Sequence, residues 1–525
     1  MFENKIYKPH FLRLFIIAAI CLLVYSNSLK GRFLWDDDQL VLNNPDISNA
    51  RFVSIFLKPL SVKFKNYYRP IQILSYKWDY FFWHFNPFGF HLTNVLIHII
   101  NALLVYAIIY IISCDWKAAF FTGSIFSIHP LLSEPVNYIS SRSDLLMGLF
   151  FLSALFFYIK IKGSLWKNRY FYASLFSFTL AILSKEAALI LPLILLIYTA
   201  MFLGKEKRRT TPYFAIAILY IIVRVAILVK SKYTATNLAF IPLLLSDIAV
   251  IAMYLKLIFL PFDLHKSWIM PWISSLKDYR LTLPFLMLAT IAILCGVMIR
   301  KKKIFSFGIL WFLVLLLPVL NIFFPVGVPL SEAWVYLASI GIFLSVASLL
   351  TNIKPRSTRV IFYPLFILII CFYGMLTIKR NELWAGNPIY FYKDILRHNA
   401  SDIIVHYNLA NVCFEQKLYA EAEEEYKRAI SLDSHFADAH NSLCNMYVEL
   451  GKLDQAIDEC KEAIKIKPHF YLAHYNLGNA YFDKREYKNA IEAYQKATSL
   501  KPDFKEAFYN LELAKQKLSE KKGLK

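Results

Sequence analysis

Leu14-Phe15-Ile16-Ile17-Ala18-Ala19-Ile20-Cys21-Leu22-Leu23-Val24-Tyr25 runs on to Leu29, and after a short basic turn comes Phe33-Leu34-Trp35-Asp36-Asp37-Asp38-Gln39-Leu40-Val41-Leu42-Asn43-Asn44-Pro45. An apolar span therefore ends by delivering three adjacent carboxylates to a membrane surface. Such carboxylates repel one another and lose solvation. General base chemistry or holding a cation would account for keeping them; a solvated acidic turn is the plain alternative. The basic start (Lys5, Lys8, Arg13), with no small-x-small cleavage site after the span, reads as an uncleaved anchor.

Outward from this stretch, the chain of 525 residues is 58% hydrophobic, above the ~45–50% of globular proteins. Apolar runs of bilayer-spanning length recur as far as about Ile378. Beyond Lys379 the pattern becomes charged, amphipathic helix. The expected division is a membrane part over 1–380, a juxtamembrane linker over 381–402, a repeat solenoid over 403–518 and a charged end over 519–525. The net charge of +21 is carried by short clusters such as Lys205–Arg209 and Arg300–Lys303 between spans. These are topology signals for the cytoplasmic side and not a nucleic-acid surface. Cysteines show no metal-ligand spacing, so buried free thiols are expected.

A cytoplasmic N-terminus puts Asp36 outside. Expected spans follow at His91–Ile112, Ala118–Pro130, Asp144–Ile161, Tyr170–Leu183, Leu189–Phe202, Phe214–Val229, Leu283–Ile299, Phe305–Phe324, Trp334–Leu350 and Val360–Ile378. A further crossing between Phe214 and Ile299 would strand Arg300–Lys303 outside, so Asp247–Leu260, short and bounded by Asp247 and Pro261, is read as not spanning. The total is about eleven crossings with the tail outside.

This topology collects the polar motifs on the outer face. Tyr68-Arg69-Pro70 precedes His91, Asn94 and His98, which share one helix face. Metal ligation by the two histidines is disfavoured by their two-turn separation of roughly 10 Å. Next come His129, Glu134, Arg142 and Asp144 within a single loop, then Lys185-Glu186, then Glu332. Arg142, with its planar fork, suits phosphate oxygens; an ion pair with Asp144 or Glu134 is the structural alternative. Carboxylates and cations around one cavity at a lipid boundary suit a lipid-phosphate donor, with a carboxylate activating a hydroxyl.

In the tail, Leu409, Leu443, Leu477 and Leu511 recur every 34 residues, as do Ala422, Ala456 and Ala490. That is the tetratricopeptide period. Three repeats run Ile403–Phe436, Ala437–Phe470 and Tyr471–Phe504, with a capping helix from Lys505. His406, Asn408, His440, Asn441, His474 and Asn476 are the candidate peptide-groove residues; Tyr475 lies among them. Trp384 to Arg397 reads as an amphipathic stretch on the outer membrane surface.

The ordered set FLWDDDQLVLNNPDI, YRP, HLTNVLIH, HPLLSEPVNYISSRSDLL and SKEAA, ending in these repeats, resembles the transmembrane and tetratricopeptide repeat-containing family. That family belongs to the GT-C superfamily of membrane glycosyltransferases. The resemblance implies an all-α, polytopic GT-C-like bundle followed by a solenoid. It implies transfer of a sugar, mannose in better-studied relatives, from a polyprenyl-phosphate donor to a Ser or Thr hydroxyl of a protein. Asp36 and Asp37 match the superfamily's acidic pair, one of them the expected base; Asp38 lies outside it. Ala333 stands where comparable members carry Arg, which puts the donor-phosphate contacts in question.

The functional expectation is thus Asp36 or Asp37 as base, with Arg142, Lys185 and Arg69 holding phosphate. His129 and Glu134 shape the acceptor side, and His91, Asp144, Glu186 and Glu332 line the cavity. Membrane lipid, a lipid-linked sugar and a protein acceptor are the partners; any metal is left open, as is inversion against retention. Transfer to a lipid or glycan acceptor, a tethered repeat scaffold, and a lipid-sugar transporter are the competing classes.

Overall fold

The structure, a computed structural model, describes residues 3–49, 51–61, 66–204, 207–228, 240–268, 273–320, 330–351 and 356–523. Lys205, Glu206 and Lys354 of the basic clusters, and the expected span ends at Val229 and Phe324, lie outside them. No strand occurs among the described residues. The chain divides into two units, Met1–Gly386 and Asn387–Lys525.

Among the described residues of the first unit, eight helices are long and apolar enough to cross a membrane: Pro9–Lys30, Pro87–Ser113, Ile139–Ile159, Glu186–Leu203, Thr211–Leu228, Ile241–Phe259, Tyr279–Met298 and Tyr363–Ala385. The sixth takes in Asp247 to Phe259 and corrects the expected shortness of Asp247–Leu260. The helix begins at Phe240, well before Asp247, and its 20 residues remove the argument from length. Expected spans near 118, 170, 305 and 339 instead hold helices of 13, 16, 14 and 12 residues. At 1.5 Å per residue none of these four reaches the ~30 Å of a hydrocarbon core. Trp116–Ile128 is buried at almost every residue from Ala118 on, so its neighbours enclose it.

Two caps place the polar loops. Pro70 fits the first turn of Pro70–Trp83, since its missing N–H is one a helix start leaves unbonded anyway. Asn86 accepts the Phe88 N–H and Pro87 follows, which starts the 27-residue helix carrying His91, Asn94 and His98. Three asparagines then tie the first and last long helices together. Asn381 donates to Val24 O (2.9 Å) and Asn27 Oδ1 (3.1 Å), and accepts from Asn137 Nδ2 at 2.7 Å.

The second unit is a stack of helix pairs: Ile403–Glu415 with Tyr419–Leu432, Ala437–Glu449 with Leu453–Ile466, and Tyr471–Asp483 with Tyr487–Leu500. The closing helix Lys505–Gly523 carries the charged end onward in helical form. Ala422, Ala456, Ala490, Ala429, Ala463 and Ala497 are all fully buried, the small residues that let paired helices approach. The turn between paired helices needs a left-handed residue in every repeat: Lys417 (φ 61°), Gly451 (φ 69°) and Arg485 (φ 62°). Only the middle repeat uses the residue that adopts it without strain.

Two expectations are corrected here. Trp384–Arg397 is not one surface segment. Trp384 belongs to the last long helix of the first unit, Gly386 ends it, and Pro388–His398 packs on Ile403–Glu415 with Ile389, Phe391, Tyr392 and Ile395 buried. The thiols are not all free, because Cys444 and Cys460 form a disulfide. Cys460 stands where the other repeats have Tyr426 and Tyr494, and Cys444 where they have Ala410 and Gly478. A Cβ at Gly478 would meet the Tyr494 ring at 2.5 Å. The middle repeat thus replaces a small-residue-under-tyrosine contact with a covalent bond.

Candidate functional site

The acidic cluster splits into three environments. Asp38 is exposed, Asp36 half-buried and Asp37 buried. The Asp37 carboxylate accepts from the Leu34 N–H at 2.9 Å, from the Ser140 N–H at 2.8 Å and from the Ser140 hydroxyl. Burial pushes its carboxyl up to about 7, against the pull of those donors. Asp36 instead accepts from the Tyr138 hydroxyl at 2.9 Å. Trp35, just before it, has φ 58°, a costly conformation for a bulky residue. Asp37 is therefore the anchor of the loop, and Asp36 the more exposed carboxylate of the two.

Both aspartates bind the segment Tyr138–Asp144, and this run is the hub of the site. Gln72 Nε2 donates to Ser140 O at 2.9 Å and the Tyr76 hydroxyl to Ile139 O at 2.7 Å, fixing its backbone from Pro70–Trp83. Arg142 points inward and is fully buried. It pairs with Asp79 at 2.5 Å and donates to Asn94 Oδ1 at 2.7 Å and Phe90 O at 2.8 Å. This corrects the expectation of an anion clamp: the guanidinium fork is already filled, by neither of the acids expected. Asn94 accepts from Arg142 and donates to Val136 O at 3.1 Å, while His98 binds Tyr336 at 2.8 Å as part of the helix packing.

The end of the hub meets three cations. Lys185 grips both Asp144 oxygens, at 2.7 and 2.8 Å. Arg69 donates in bidentate fashion to Glu186, at 3.1 and 2.9 Å, and reaches Ser143 at 3.4 Å. Arg224 lies 3.9 Å from Glu186. Among the described residues, three cations against two carboxylates leave this group one positive charge in excess. A narrow recess opens beside it, polar at Asp144 and Lys185 and then apolar along Met147, Phe151, Leu315, Val319, Trp334 and Leu337.

A second charged group lies behind Tyr138. Lys266 pairs with buried Glu134 and sits 4.5 Å from the Tyr138 ring centre. Buried Glu332 pairs with Arg380 at 3.3 Å. Burial pushes the Glu332 carboxyl up, Arg380 opposes that, and nearby Glu134 adds to it. Arg380 thus supplies the cation beside Glu332 that Ala333 cannot. This group is balanced, two cations against two acids. Sequence reasoning missed Tyr138, Ser140, Lys266 and Arg380. Tyr138 and Ser140 lay in a run already singled out; nothing local marked the other two.

His129 is corrected as well. It is fully buried, its Nδ1 accepts the Leu131 N–H at 3.2 Å, and Nε2 then donates to Ile258 O at 2.9 Å. Buried His91 packs against the backbone at Gly31, where a Cβ would run into its ring. Among the described residues no group of three or more His, Cys, Asp or Glu could hold a metal ion.

In the solenoid, several expected groove residues are internal. His406 binds Glu425 at 2.5 Å and His440 binds Glu459 at 2.6 Å. The Asn476 amide donates to Asn441 at 3.0 Å, both being buried. His474 bonds to Pro468 O at 3.1 Å, and Asn408 is half-buried. These contacts join helices, which leaves His406, His440, Asn441 and Asn476 unavailable to a peptide.

Residues 403–436 and 471–504 match the tetratricopeptide repeat family model, and 445–484 match a second model described as a TPR repeat. A protein O-mannosyl-transferase of Caenorhabditis elegans is 26% identical over 448 residues, covering 80% of this chain and 62% of its own. Protein O-mannosyl-transferase TMTC1 of Homo sapiens is 24% identical, over 81% of this chain and 56% of its own. These relatives are protein O-mannosyl-transferases, TMTC1 among them. This chain spans roughly half to three-fifths of the length of the protein O-mannosyl-transferases it matches along most of its length. Among solved structures, the crystal structure of MamA aligns at 29% identity with 25% of this chain and 72% of its own, with a TM-score of 0.24.

Proposed function

We propose that this multi-pass membrane protein transfers a sugar, mannose, from a polyprenyl-phosphate donor to a hydroxyl of a protein acceptor. The carrying observation is that one hub, Tyr138–Asp144, holds the accessible Asp36 carboxylate at one end and a cation group with excess positive charge at the other. Asp36 takes the acceptor hydroxyl's proton as that oxygen bonds to the sugar's anomeric carbon. The bond from that carbon to the donor phosphate oxygen breaks, and the phosphate leaves with the electron pair. Arg69, Arg224 and Lys185 would meet its charge. Charged hydrogen bonds of this kind contribute about 1.5–3 kcal/mol each. Arg142, with its donors filled, supports the hub. Glu134 and Glu332 with their cations form the far wall behind Tyr138.

The disulfide supports an extracytoplasmic tail, since such bonds persist in oxidising compartments. The test is to incubate purified protein with labelled polyprenyl-phosphate mannose and follow the label. Label on protein supports the reading. Label on a lipid or glycan would move the acceptor class, and none released or transferred would favour a scaffold.

A further inference from the structure

The three first helices of the repeats, Ile403–Glu415, Ala437–Glu449 and Tyr471–Asp483, contain no Lys or Arg, although the chain carries a net charge of +21. Basic residues of the three repeats sit on the second helices, at Lys427, Arg428, Lys461, Lys465, Lys488 and Lys496, and in the turns, at Lys417, Lys452, Lys467, Lys484, Arg485 and Lys501, where Lys452 pairs with Glu423 and Lys484 with Asp454 and Glu486. On each first helix, an Asn and an acid stand four residues apart and share a face: Asn411 and Glu415, Asn445 and Glu449, Asn479 and Asp483. Asn445 and the three acids are exposed.

Two kinds of contact build these residues into a surface. The Tyr426 hydroxyl donates to Asn411 Oδ1 at 2.6 Å and the Tyr494 hydroxyl to Asn479 Oδ1 at 2.7 Å, orienting the amide N–H groups. Neighbouring first helices are joined by Tyr407 to Ser442 at 3.3 Å and by Asn476 to Asn441 at 3.0 Å. The Asn row and the acidic row therefore cross adjacent helices as two parallel lines.

We propose that this face binds an extended, cationic polypeptide segment. The amides of Asn411, Asn445 and Asn479 meet its backbone carbonyls, and Glu415, Glu449 and Asp483 meet its Lys or Arg side chains. Packed helices lie about 8–10 Å apart, and an extended chain advances ~3.3 Å per residue. One rung of the face thus meets every third residue, which selects segments with basic residues at that interval. That such a segment is also the sugar acceptor rests on the function proposed above; the binding itself does not.

The test uses the full chain in nanodiscs and fluorescent twelve-residue Ser/Thr peptides carrying Lys at every third position, or Glu at the same positions. The Lys peptide is expected to bind at least tenfold more tightly than the Glu peptide, with affinity falling as salt rises. Replacing the exposed acids together (Glu415→Gln, Glu449→Gln, Asp483→Asn) should weaken it at least fivefold, without a change in melting temperature. Asn445→Ala should weaken it with the fold intact, while Lys427→Gln with Lys465→Gln on the second helices should not. No binding of either peptide, equal or tighter binding of the Glu peptide, or affinity unmoved by the acid triple variant would overturn the proposal. Because binding is read without donor, loss of sugar transfer leaves this outcome untouched.

Discussion

The Tyr138 hydroxyl donates to Asp36 Oδ2 at 2.9 Å and accepts the Asp36 N–H at 3.2 Å. One phenol thus fixes both the carboxylate and the backbone of the residue assigned as base. Its neighbour Asp37 is held instead by Leu34 and Ser140, so two adjacent acids have separable roles. Asp36→Asn should lower transfer about 10²–10⁴-fold, the usual loss for a general base, with the melting temperature near wild type. Asp37→Asn should lower stability by about 1–3 kcal/mol, because an amide NH₂ would face a donor already aimed at it. Melting curves beside transfer rates decide it: equal activity loss with unchanged stability in both variants would refute the division.

Asp37 also sets a pH dependence. Burial raises its carboxyl to about 7, above the ~3.9 of an unfolded aspartate. Between those values the folded state binds more protons than the unfolded one, so stability falls as pH rises. Melting temperatures from pH 4.5 to 7.5 should therefore decline more steeply in wild type than in Asp37→Asn. Parallel profiles would mean that Asp37 does not titrate in this window.

Arg142→Ala should unfold the hub before it affects the donor. Removing one partner of a buried pair strands Asp79 and costs about 3–5 kcal/mol. Arg142→Lys keeps a charge but cannot also serve Asn94 and Phe90 O, so it should rescue only part of the loss. Arg69→Ala, at the half-open cation group, should instead raise the apparent donor KM while stability holds. Normal melting with weakened donor affinity in Arg142→Ala would restore the anion-clamp role.

In the solenoid, His406 and His440 have raised affinity for a proton. For His440 the bond to Glu459 is the main cause, with burial opposing; for His406 burial pulls down first and the Glu425 bond outweighs it. Stabilisation from a raised histidine is fully present below its unfolded value of ~6.5 and is lost as pH rises through the folded value. His440→Gln should thus destabilise the tail more at pH 5.5 than at pH 8.5. A pH-independent effect, read by the tail's unfolding transition in chemical denaturant, would refute the charged pair.

Cys444→Ser with Cys460→Ser opens a loop of 16 residues. Chain-entropy reasoning puts the loss at about 3 kcal/mol. Hydrogen exchange should show it in Ala437–Ile466, with smaller changes in the flanking repeats. Unchanged protection there would mean that packing alone holds the middle repeat.

The solenoid was the most legible part of the sequence, because a 34-residue period fixes register without reference to distant contacts. The long apolar helices were legible for a similar reason. Roles within the polar loops were less so. Arg142 and His129 have the composition of site residues, but Asp79 lies 63 positions from one and Ile258 lies 129 from the other. Lys266 and Arg380 were invisible for the same reason, since each becomes part of the site only through Glu134 or Glu332. Groove residues were misread because His406 and His440 are paired one helix away.

The link of Asn27 and Val24 to Asn381 spans more than 350 residues of chain. During synthesis the first helix is finished while nearly all of the membrane unit is still unmade. The loop with Asp36 and Asp37 follows directly from that helix, and Asn137 cannot find its partner until Asn381 emerges. The reactive end of the molecule is therefore begun first and completed last. A shortened chain that ends before Asn381 would carry every candidate catalytic residue named above and still lack the clasp that closes the ground beneath them.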